Sequence, residues 1–269
     1  MRCGARSGSA RVELVTLSLM DLGKGDPRRR AADISVASEV TRRTVVVMPA
    51  YNAAATLGST IAAIPAGVAD VIVLVDDNSR DNTVRVAQDL NLTVIRHPHN
   101  VGYGGNQKPC YMEALRQGAD VVVMLHPDGQ YDPGILGDMI DKVRDEGYDL
   151  VMGSRFAEPG HAKAGGMPWW KILANRFLTT CENAVLGLNL TEYHTGYRAY
   201  SRRFLDSVPF LRNSNDFVFD TQILLQAAAF KFRVGEVPVS TKYFPEASSI
   251  TFKVSTIYGL KTMYCLGRY

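Results

Sequence analysis

From Thr44 onward, short apolar runs alternate along the chain with segments whose apolar residues recur at helical spacing. The runs are rich in Val and Ile and are apolar throughout, which is typical of strands buried on both faces of a parallel sheet. We predict strands at 45–48, 71–75, 92–95 and 121–125, and helices at 54–64, 81–90, 105–118 and 133–146. This alternation predicts an α/β fold with a doubly wound, mostly parallel sheet flanked by helices on both faces.

The pattern is less regular in the second half of the chain. It predicts helices at 169–186 and 216–230 and a strand at 234–239. We divide the chain into a disordered or variable N-terminal extension (1–42), an α/β domain (43–250) and a C-terminal helix of apolar and basic residues (251–269). The extension mixes Gly, Ser, Arg and Asp with little periodicity, which favours disorder.

The charge balance argues against nucleic acid as a partner. The chain has 30 Lys and Arg residues against 27 Asp and Glu, a net charge of +3, which is a small excess. No run reaches the roughly 18 apolar residues that a membrane helix needs. The apolar stretch near the start contains Glu13 and makes a poor signal peptide. We therefore expect a cytoplasmic protein.

A polar segment follows each of the first four predicted strands, and ligands of open parallel sheets bind at this edge. The segments are 49–52, 76–83, 100–108 and 126–130. Asp77 is suited to accept hydrogen bonds from a base or a ribose, with helix capping as the alternative. The glycine-rich third segment matches neither the phosphate-binding loop nor the dinucleotide fingerprint. It either brings backbone N–H groups and Lys108 near a phosphate or is a plain turn into a helix.

The fourth segment contains a candidate cation site. Asp128 and Gln130 offer oxygen ligands, which Mg²⁺ and Mn²⁺ prefer. His126 is a candidate third ligand, more naturally for Mn²⁺ than for Mg²⁺. The alternative is that Asp128 only caps a turn.

Seven segments together resemble the family 2 glycosyltransferases of the GT-A fold, in particular the branch that transfers mannose or glucose to polyprenyl or dolichyl phosphate. The resemblance spans about 44–250. Its segments are VVVMPAYNAAATL (45–57), VDDNSRDNT (75–83), NVGYGGN (100–106), LHPDGQYDP (125–133), MGSRF (152–156), YHTGYRAYSR (193–202) and EVPVSTKYF (236–244).

The resemblance implies an inverting, metal-dependent transfer of a hexose from a UDP- or GDP-sugar to polyprenyl phosphate. The alternative is transfer to a saccharide or small-molecule hydroxyl in cell-envelope or polysaccharide synthesis. The family's acidic metal motif falls on 126–130, where His126 replaces the first Asp and Asp128 and Gln130 remain. The expected donor-binding residues are Pro49, Ala50, Tyr51, Asn52, Asp77, Asn78, Lys108 and Asp128.

Four basic residues are expected to bind the acceptor phosphate and the donor diphosphate: Arg155, Lys171, Arg198 and Arg202. Two phosphorylated substrates bring about four negative charges together, more than one divalent ion offsets. Each basic residue taken alone is also compatible with a solvated surface position.

The expected catalytic residues are Asp128, Arg155 and Asp220. An ionised phosphate acceptor needs little or no general base, whereas a hydroxyl acceptor needs one. Asp216 and Asp220 are the base candidates, and Asp216 also fits a helix cap.

The last predicted helix has two alternative environments. Its apolar residues Ile257, Leu260, Met263, Tyr264 and Leu266 are interspersed with Lys253, Lys261 and Arg268. Such a helix either lies in a membrane interface, which would make the protein peripheral on the inner face of the cell membrane, or packs on the core or on a second subunit in a homodimer.

Overall fold

The computed structural model describes residues 42–242 and 252–269. The predicted extension up to residue 41, and the side chain of Lys253 in the last helix, lie outside the described residues.

The described part of the chain forms a seven-stranded sheet with helices on both faces. The strands are β1 Thr44–Ala50, β2 Val71–Asp76, β3 Thr93–Arg96, β4 Val121–Met124, β5 Leu150–Ser154, β6 Arg198–Ser201 and β7 Val234–Pro238. The helices are α1 Leu57–Ala62, α2 Thr83–Asp89, α3 Tyr103–Arg116, α4 Leu136–Arg144, α5 His161–Ala164, α6 Trp169–Leu186, α7 Arg202–Ser207, α8 Phe219–Ala229 and α9 Phe252–Leu266. Short 3₁₀ turns lie at Pro133–Ile135 and Phe210–Arg212.

Two apolar cores lie on opposite faces of the sheet, because successive side chains of a strand point to opposite faces. Val45 and Val47 of β1 belong to the core that α3 and α8 cover. Val46 and Met48 belong to the core that α1, α2 and α4 cover. The prediction of a doubly wound, mostly parallel sheet is therefore confirmed.

The strand β6 was not predicted, and it runs antiparallel between β4 and β5. The strand order is β3-β2-β1-β4-β6-β5-β7, and Arg198 pairs with Met124 at the carboxyl end of β4. The segment lacks a Val- and Ile-rich run, so the pattern used for the other strands missed it. Because β6 is reversed, the loop that precedes it reaches the same edge as the loops that follow the parallel strands.

The sheet has a switch point at β1, whose neighbours β2 and β4 continue the chain in opposite directions across the sheet. In open α/β sheets a crevice forms at the carboxyl ends of the strands at such a point. The helices of residues 42–242 and 252–269 include none that is long and apolar enough to cross a bilayer.

Candidate functional site

A cavity of about 670 Å³ opens at the carboxyl edge of the sheet, beside the switch point. Its volume lies within the range of small-molecule sites. Ten of the expected residues line this cavity: Pro49, Ala50, Tyr51, Asp77, His126, Asp128, Gln130, Arg155, Lys171 and Asp220. The topology therefore brings side chains from distant parts of the sequence to one place.

Asp77 fixes the glycine-rich loop at one side of the cavity. Its backbone N–H donates to Ala50 O at 2.8 Å. Its two carboxylate oxygens accept the backbone N–H groups of Val101 and Gly102 at 2.7 and 3.1 Å. Gly102 has φ +87°, and a Cβ there would meet Asn215 O at 2.7 Å, so only glycine fits. The carboxylate is nearly buried and orders the loop next to the position expected for the nucleotide.

Three expected donor-binding residues, Asn52, Asn78 and Lys108, are not part of the cavity wall. Asn52 and Asn78 have left-handed backbone conformations, with φ of 53° and 60°. The amide of Asn52 accepts the backbone N–H of Arg80 at 2.8 Å and so joins two loops. Lys108 donates instead to Asn213 O and Asn215 Oδ1 at 2.5 and 2.7 Å, because its position on α3 faces that loop. In the structure, the hydrogen bonds of Asn52 and Lys108 order the loops around the cavity instead of lining it.

A hydrogen-bonded chain of His126, Tyr103 and Asp220 forms the floor of the cavity. Tyr103 Oη donates to Asp220 Oδ2 at 2.7 Å and lies 3.3 Å from His126 Nε2. Burial, together with the charge of Asp220, raises the pKa of Tyr103 well above 10, so the phenol keeps its proton. Burial lowers the pKa of His126 despite the nearby carboxylates. Since the phenol proton is donated to Asp220, a hydrogen bond between His126 Nε2 and Tyr103 Oη requires the tautomer that is protonated at Nε2, and this tautomer leaves the lone pair on Nδ1.

Asp128 is the carboxylate best placed to accept a cation. Its Oδ1 accepts the backbone N–H of Gln130 at 3.0 Å. Its Oδ2 accepts no hydrogen bond from the described residues, whereas both oxygens of Asp77 are engaged. Within 42–242 and 252–269, no group of three or more His, Cys, Asp and Glu side chains is arranged to hold a metal alone. Mg²⁺ commonly binds through one or two protein carboxylates and takes its other ligands from substrate phosphates and water.

Arg155 is held by a carboxylate that the sequence analysis did not single out. Glu192 accepts the backbone N–H of Arg155 at 2.8 Å and its Nε at 2.9 Å, and it also contacts the terminal guanidinium nitrogen. Asn175 donates a further hydrogen bond to Glu192 at 2.9 Å. Burial alone would raise the pKa of Glu192, but the charge and hydrogen bonds of Arg155 outweigh it and hold that pKa below 4.5. The sequence feature that could have pointed to Glu192 is its position directly before the YHTGYRAYSR segment.

Lys171 lies near Arg155 at the mouth of the cavity. Its ammonium lies 5.4 Å from the centroid of the Trp170 ring. Burial, and next the neighbouring charge of Arg155, lower the pKa of Lys171. The two basic residues therefore give this side of the cavity a positive character, and Glu192 partly offsets it.

Arg198 and Arg202, both expected to contact phosphate, lie outside the cavity wall. The guanidinium of Arg198 is fully buried and donates to the backbone oxygens of Thr195, Asp220 and Tyr193 at 2.8, 3.0 and 3.1 Å. Arg202 follows β6 and donates to Ala119 O at 3.0 Å, just before β4 begins. Because β6 is antiparallel, Arg202 lies at the edge of the sheet opposite the cavity. Arg198 thus supports Asp220 from below, and Arg202 joins loops at the far edge.

One wall of the cavity is apolar. It is formed by one row of α6, Trp170, Ala174 and Leu178, together with Met167 and with Tyr258 of α9. The cavity therefore combines a carboxylate, two basic side chains and a hydrophobic surface.

Comparison with known proteins identifies the family. The model of "Glycosyl transferase family 2" matches residues 45–208. Polyprenol monophosphomannose synthase of Mycolicibacterium smegmatis is 28% identical over 224 residues, which cover 80% of this chain and 83% of that protein. Undecaprenyl-phosphate mannosyltransferase of Micrococcus luteus is 30% identical over 205 residues, which cover 74% of this chain and 83% of that protein.

A solved structure supports the same fold. Glucosyl-3-phosphoglycerate synthase from Mycobacterium tuberculosis, in complex with UDP, superimposes with a TM-score of 0.63 at 19% identity, covering 84% of this chain and 79% of that one. The chain therefore has the GT-A fold, and it belongs to glycosyl transferase family 2.

Proposed function

We propose that this glycosyltransferase transfers a hexose from a nucleotide diphosphate-sugar to polyprenyl phosphate, with inversion and with the help of Mg²⁺ or Mn²⁺. The observation that supports the proposal most strongly is the composition of the cavity. Asp128, the basic side chains of Arg155 and Lys171, and an apolar wall line the same cavity. Relatives named for polyprenol and undecaprenyl-phosphate mannose transfer point to the same acceptor class.

The donor half of the site is assigned to the ends of β1, β2 and β4. Tyr51 and the loop ordered by Asp77 are the surfaces for the nucleoside. Oδ2 of Asp128, which accepts no hydrogen bond from the described residues, would be the ligand for the cation, with Gln130 and Nδ1 of His126 as further candidates. When bound, the cation neutralises charge on the leaving diphosphate. A structure of glucosyl-3-phosphoglycerate synthase, which has the same fold, contains Mn²⁺ and UDP, and this is consistent with the assignment.

The acceptor half is assigned to Arg155 and Lys171. Their charges hold the acceptor phosphate so that one of its oxygens attacks the anomeric carbon from the face opposite the leaving group, which inverts the configuration. A phosphate monoester is already ionised at neutral pH, so this reaction requires no general base. The apolar wall accommodates the first isoprene units beside the phosphate.

The test is a nucleotide-release assay in which a panel of UDP- and GDP-sugars is combined with Mg²⁺ or Mn²⁺, with and without a short-chain, water-soluble polyprenyl phosphate. We expect release that depends on the lipid phosphate for one donor. Release that is indifferent to the lipid phosphate, or release with none of the donors, would contradict the proposal.

Transfer to a hydroxyl is the second candidate, and one observation favours it. Asp220 lines the cavity and is oriented by Tyr103 and by Gln107 Nε2, which lies 3.3 Å from its Oδ1. A hydroxyl acceptor would use this carboxylate as its base. Asp220→Asn separates the two cases: loss of turnover with unchanged donor binding favours the hydroxyl acceptor, whereas retained turnover with the lipid phosphate supports the main proposal.

A further inference from the structure

The helix α6 has a reversed distribution of polar and apolar residues. An amphipathic helix of a globular protein normally buries its apolar face. The residues that α6 buries are Asn175, Thr179 and Glu182, all of them polar. Trp169, Leu173 and Phe177, spaced four residues apart, are 76%, 64% and 62% exposed. An exposed apolar row of this kind marks a contact surface.

The helix α9 repeats this arrangement in part, because its described side chains include one buried polar residue, Thr262, and one buried apolar residue, Leu266. Thr262 is fully buried in it, where its hydroxyl lies 3.2 Å from that of Thr221. Ile257, Leu260 and Tyr264, which share one face of the helix, are exposed. We call the exposed rows of α6 and α9 together the apolar rim.

The two helices adjoin each other and the cavity. A Cβ on Gly259 of α9 would lie 3.6 Å from Leu178 Cδ1 of α6. On α6, the exposed row is offset by one residue from the row that begins at Trp170 and lines the cavity. On α9, Ile257 likewise precedes the cavity residue Tyr258. One residue is about 100° around a helix, so the apolar rim borders the mouth of the cavity.

The charges on these helices identify the partner. The sequence of α9 contains no Asp or Glu, and the single acid of α6, Glu182, is fully buried. Exposed basic groups accompany the apolar rows: Arg176 on α6, Lys261 on α9, which pairs with Asp216, and Arg268 just beyond α9. Apolar rows with aromatic residues and accompanying Lys and Arg are typical of helices that lie in the interface of an anionic bilayer.

We infer that the apolar rim docks the protein on the surface of a bilayer that contains anionic lipids, with the mouth of the cavity next to the headgroups. The inference rests on the proposed function, because a polyprenyl phosphate in a membrane presents its phosphate at that depth. The docking surface includes α6. The buried residues of this helix are polar, and its exposed apolar residues would contact lipid. Docking requires no spanning segment.

The experiment is co-sedimentation of the full chain with vesicles of phosphatidylcholine, with and without phosphatidylglycerol. Two variants remove the apolar rim, Leu173→Ser with Phe177→Ser in α6 and Leu260→Ser with Tyr264→Ser in α9. The matched control is Phe230→Ser, which removes a half-exposed apolar residue beyond the end of α8, near the start of β7 and thus at the opposite edge of the sheet.

We expect the wild-type chain and the control to bind the anionic vesicles, and each double variant to bind about tenfold more weakly or less. Absence of wild-type binding, or equal binding by the variants, would overturn the inference. Size-exclusion chromatography with light scattering tests whether a second copy of the chain covers the apolar rim instead. A dimer that the variants dissociate, with vesicle binding unchanged, would identify the rim as a subunit interface and overturn membrane docking.

The short-chain, water-soluble acceptor separates this inference from the proposed function. Transfer to it should be the same within about twofold in the wild-type chain and the rim variants, because none of the four substituted residues lines the cavity. If the wild-type chain binds vesicles through the rim but does not use this acceptor, the proposed function fails while the docking surface stands.

Discussion

The buried ion pair of Arg155 and Glu192 gives the sharpest prediction. Glu192→Gln keeps the shape of the side chain but removes its charge, which leaves the guanidinium of Arg155 without its buried counter-charge. Breaking a buried pair on one side costs about 3–5 kcal/mol. Glutamine retains one acceptor oxygen, so we expect the lower end of that range. For a domain of this size, about 3 kcal/mol corresponds to a fall in Tm of about 6–12 °C.

Thermal unfolding followed by circular dichroism measures this loss, and Glu146→Gln is the control. Glu146 forms an exposed pair with Lys142 at 3.2 Å, and such pairs contribute about 0–1 kcal/mol. The Tm of the control should therefore change by less than about 4 °C. A Glu192→Gln variant as stable as this control would refute the reasoning.

Replacing both members of the pair separates stability from function. Arg155→Met combined with Glu192→Leu puts two apolar side chains of similar volume in the buried site, and such replacements are often neutral in stability. We expect part of the lost Tm to return, because the unpaired charge is gone but the backbone N–H of Arg155 and the amide of Asn175 lose their acceptor. The kcat/KM for a phosphate acceptor should stay at least about 100-fold reduced, because the bidentate cation is gone. A double variant that is no more stable than Glu192→Gln would show that the loss comes from the packing and hydrogen bonds of Glu192 and not from the unpaired charge.

Three further predictions follow from the site. Asp128→Asn should lower kcat/KM by about 100-fold and abolish nucleotide-dependent Mn²⁺ binding in an electron paramagnetic resonance titration, and unchanged Mn²⁺ binding would exclude Asp128 as a ligand. Gly196→Ala should reduce turnover sharply because its Cβ would lie 2.7 Å from Nε2 of His126, whereas Gly58→Ala, with nothing within 4 Å, should have no effect. The folded-state pKa of Glu192 lies below its ordinary 4.5, so the stabilisation from its charge is present above pH 4.5 and is lost as the pH falls through the folded-state value. The Tm difference between wild type and Glu192→Gln should therefore shrink below pH 4.5. A Tm difference that grows there would contradict this sign.

The sequence predicted the parallel part of the sheet well because apolar runs report strands buried on both faces. It also predicted ten of the side chains that line the cavity at the carboxyl edge, since that edge follows from strand direction, but not Asn52, Asn78, Lys108, Arg198 and Arg202, which were expected there too. Asp128 and Arg155 are far apart in the chain but line the same cavity for this reason. Their chemical roles stay predictions until the variants above are measured.

What the sequence could not reveal was the direction of β6 and the orientation of single side chains. Without the reversal of β6, Arg202 would have followed a parallel strand and reached the cavity edge. Arg198 begins β6 at the correct edge, but its guanidinium bonds backbone oxygens below the floor of the cavity. Lys108 lies on the face of α3 toward the loop that contains Asn213. Such orientations depend on which element packs beside a residue, and that information is absent from a local motif.

The reversal of β6 also means that different segments of the chain line the two sides of the cavity. The loops that follow β1, β2 and β4 line the half of the cavity that we propose for the donor, whereas residues 191–194 approach from the start of β6 and bring Glu192 to Arg155, on the side proposed for the acceptor. A change within 191–194 would alter the surroundings of Arg155, on the side proposed for the acceptor, whereas Thr195 and Gly196 contact Tyr131 and His126 after β4. The segment 191–194 is therefore the first place to graft when a new acceptor is wanted.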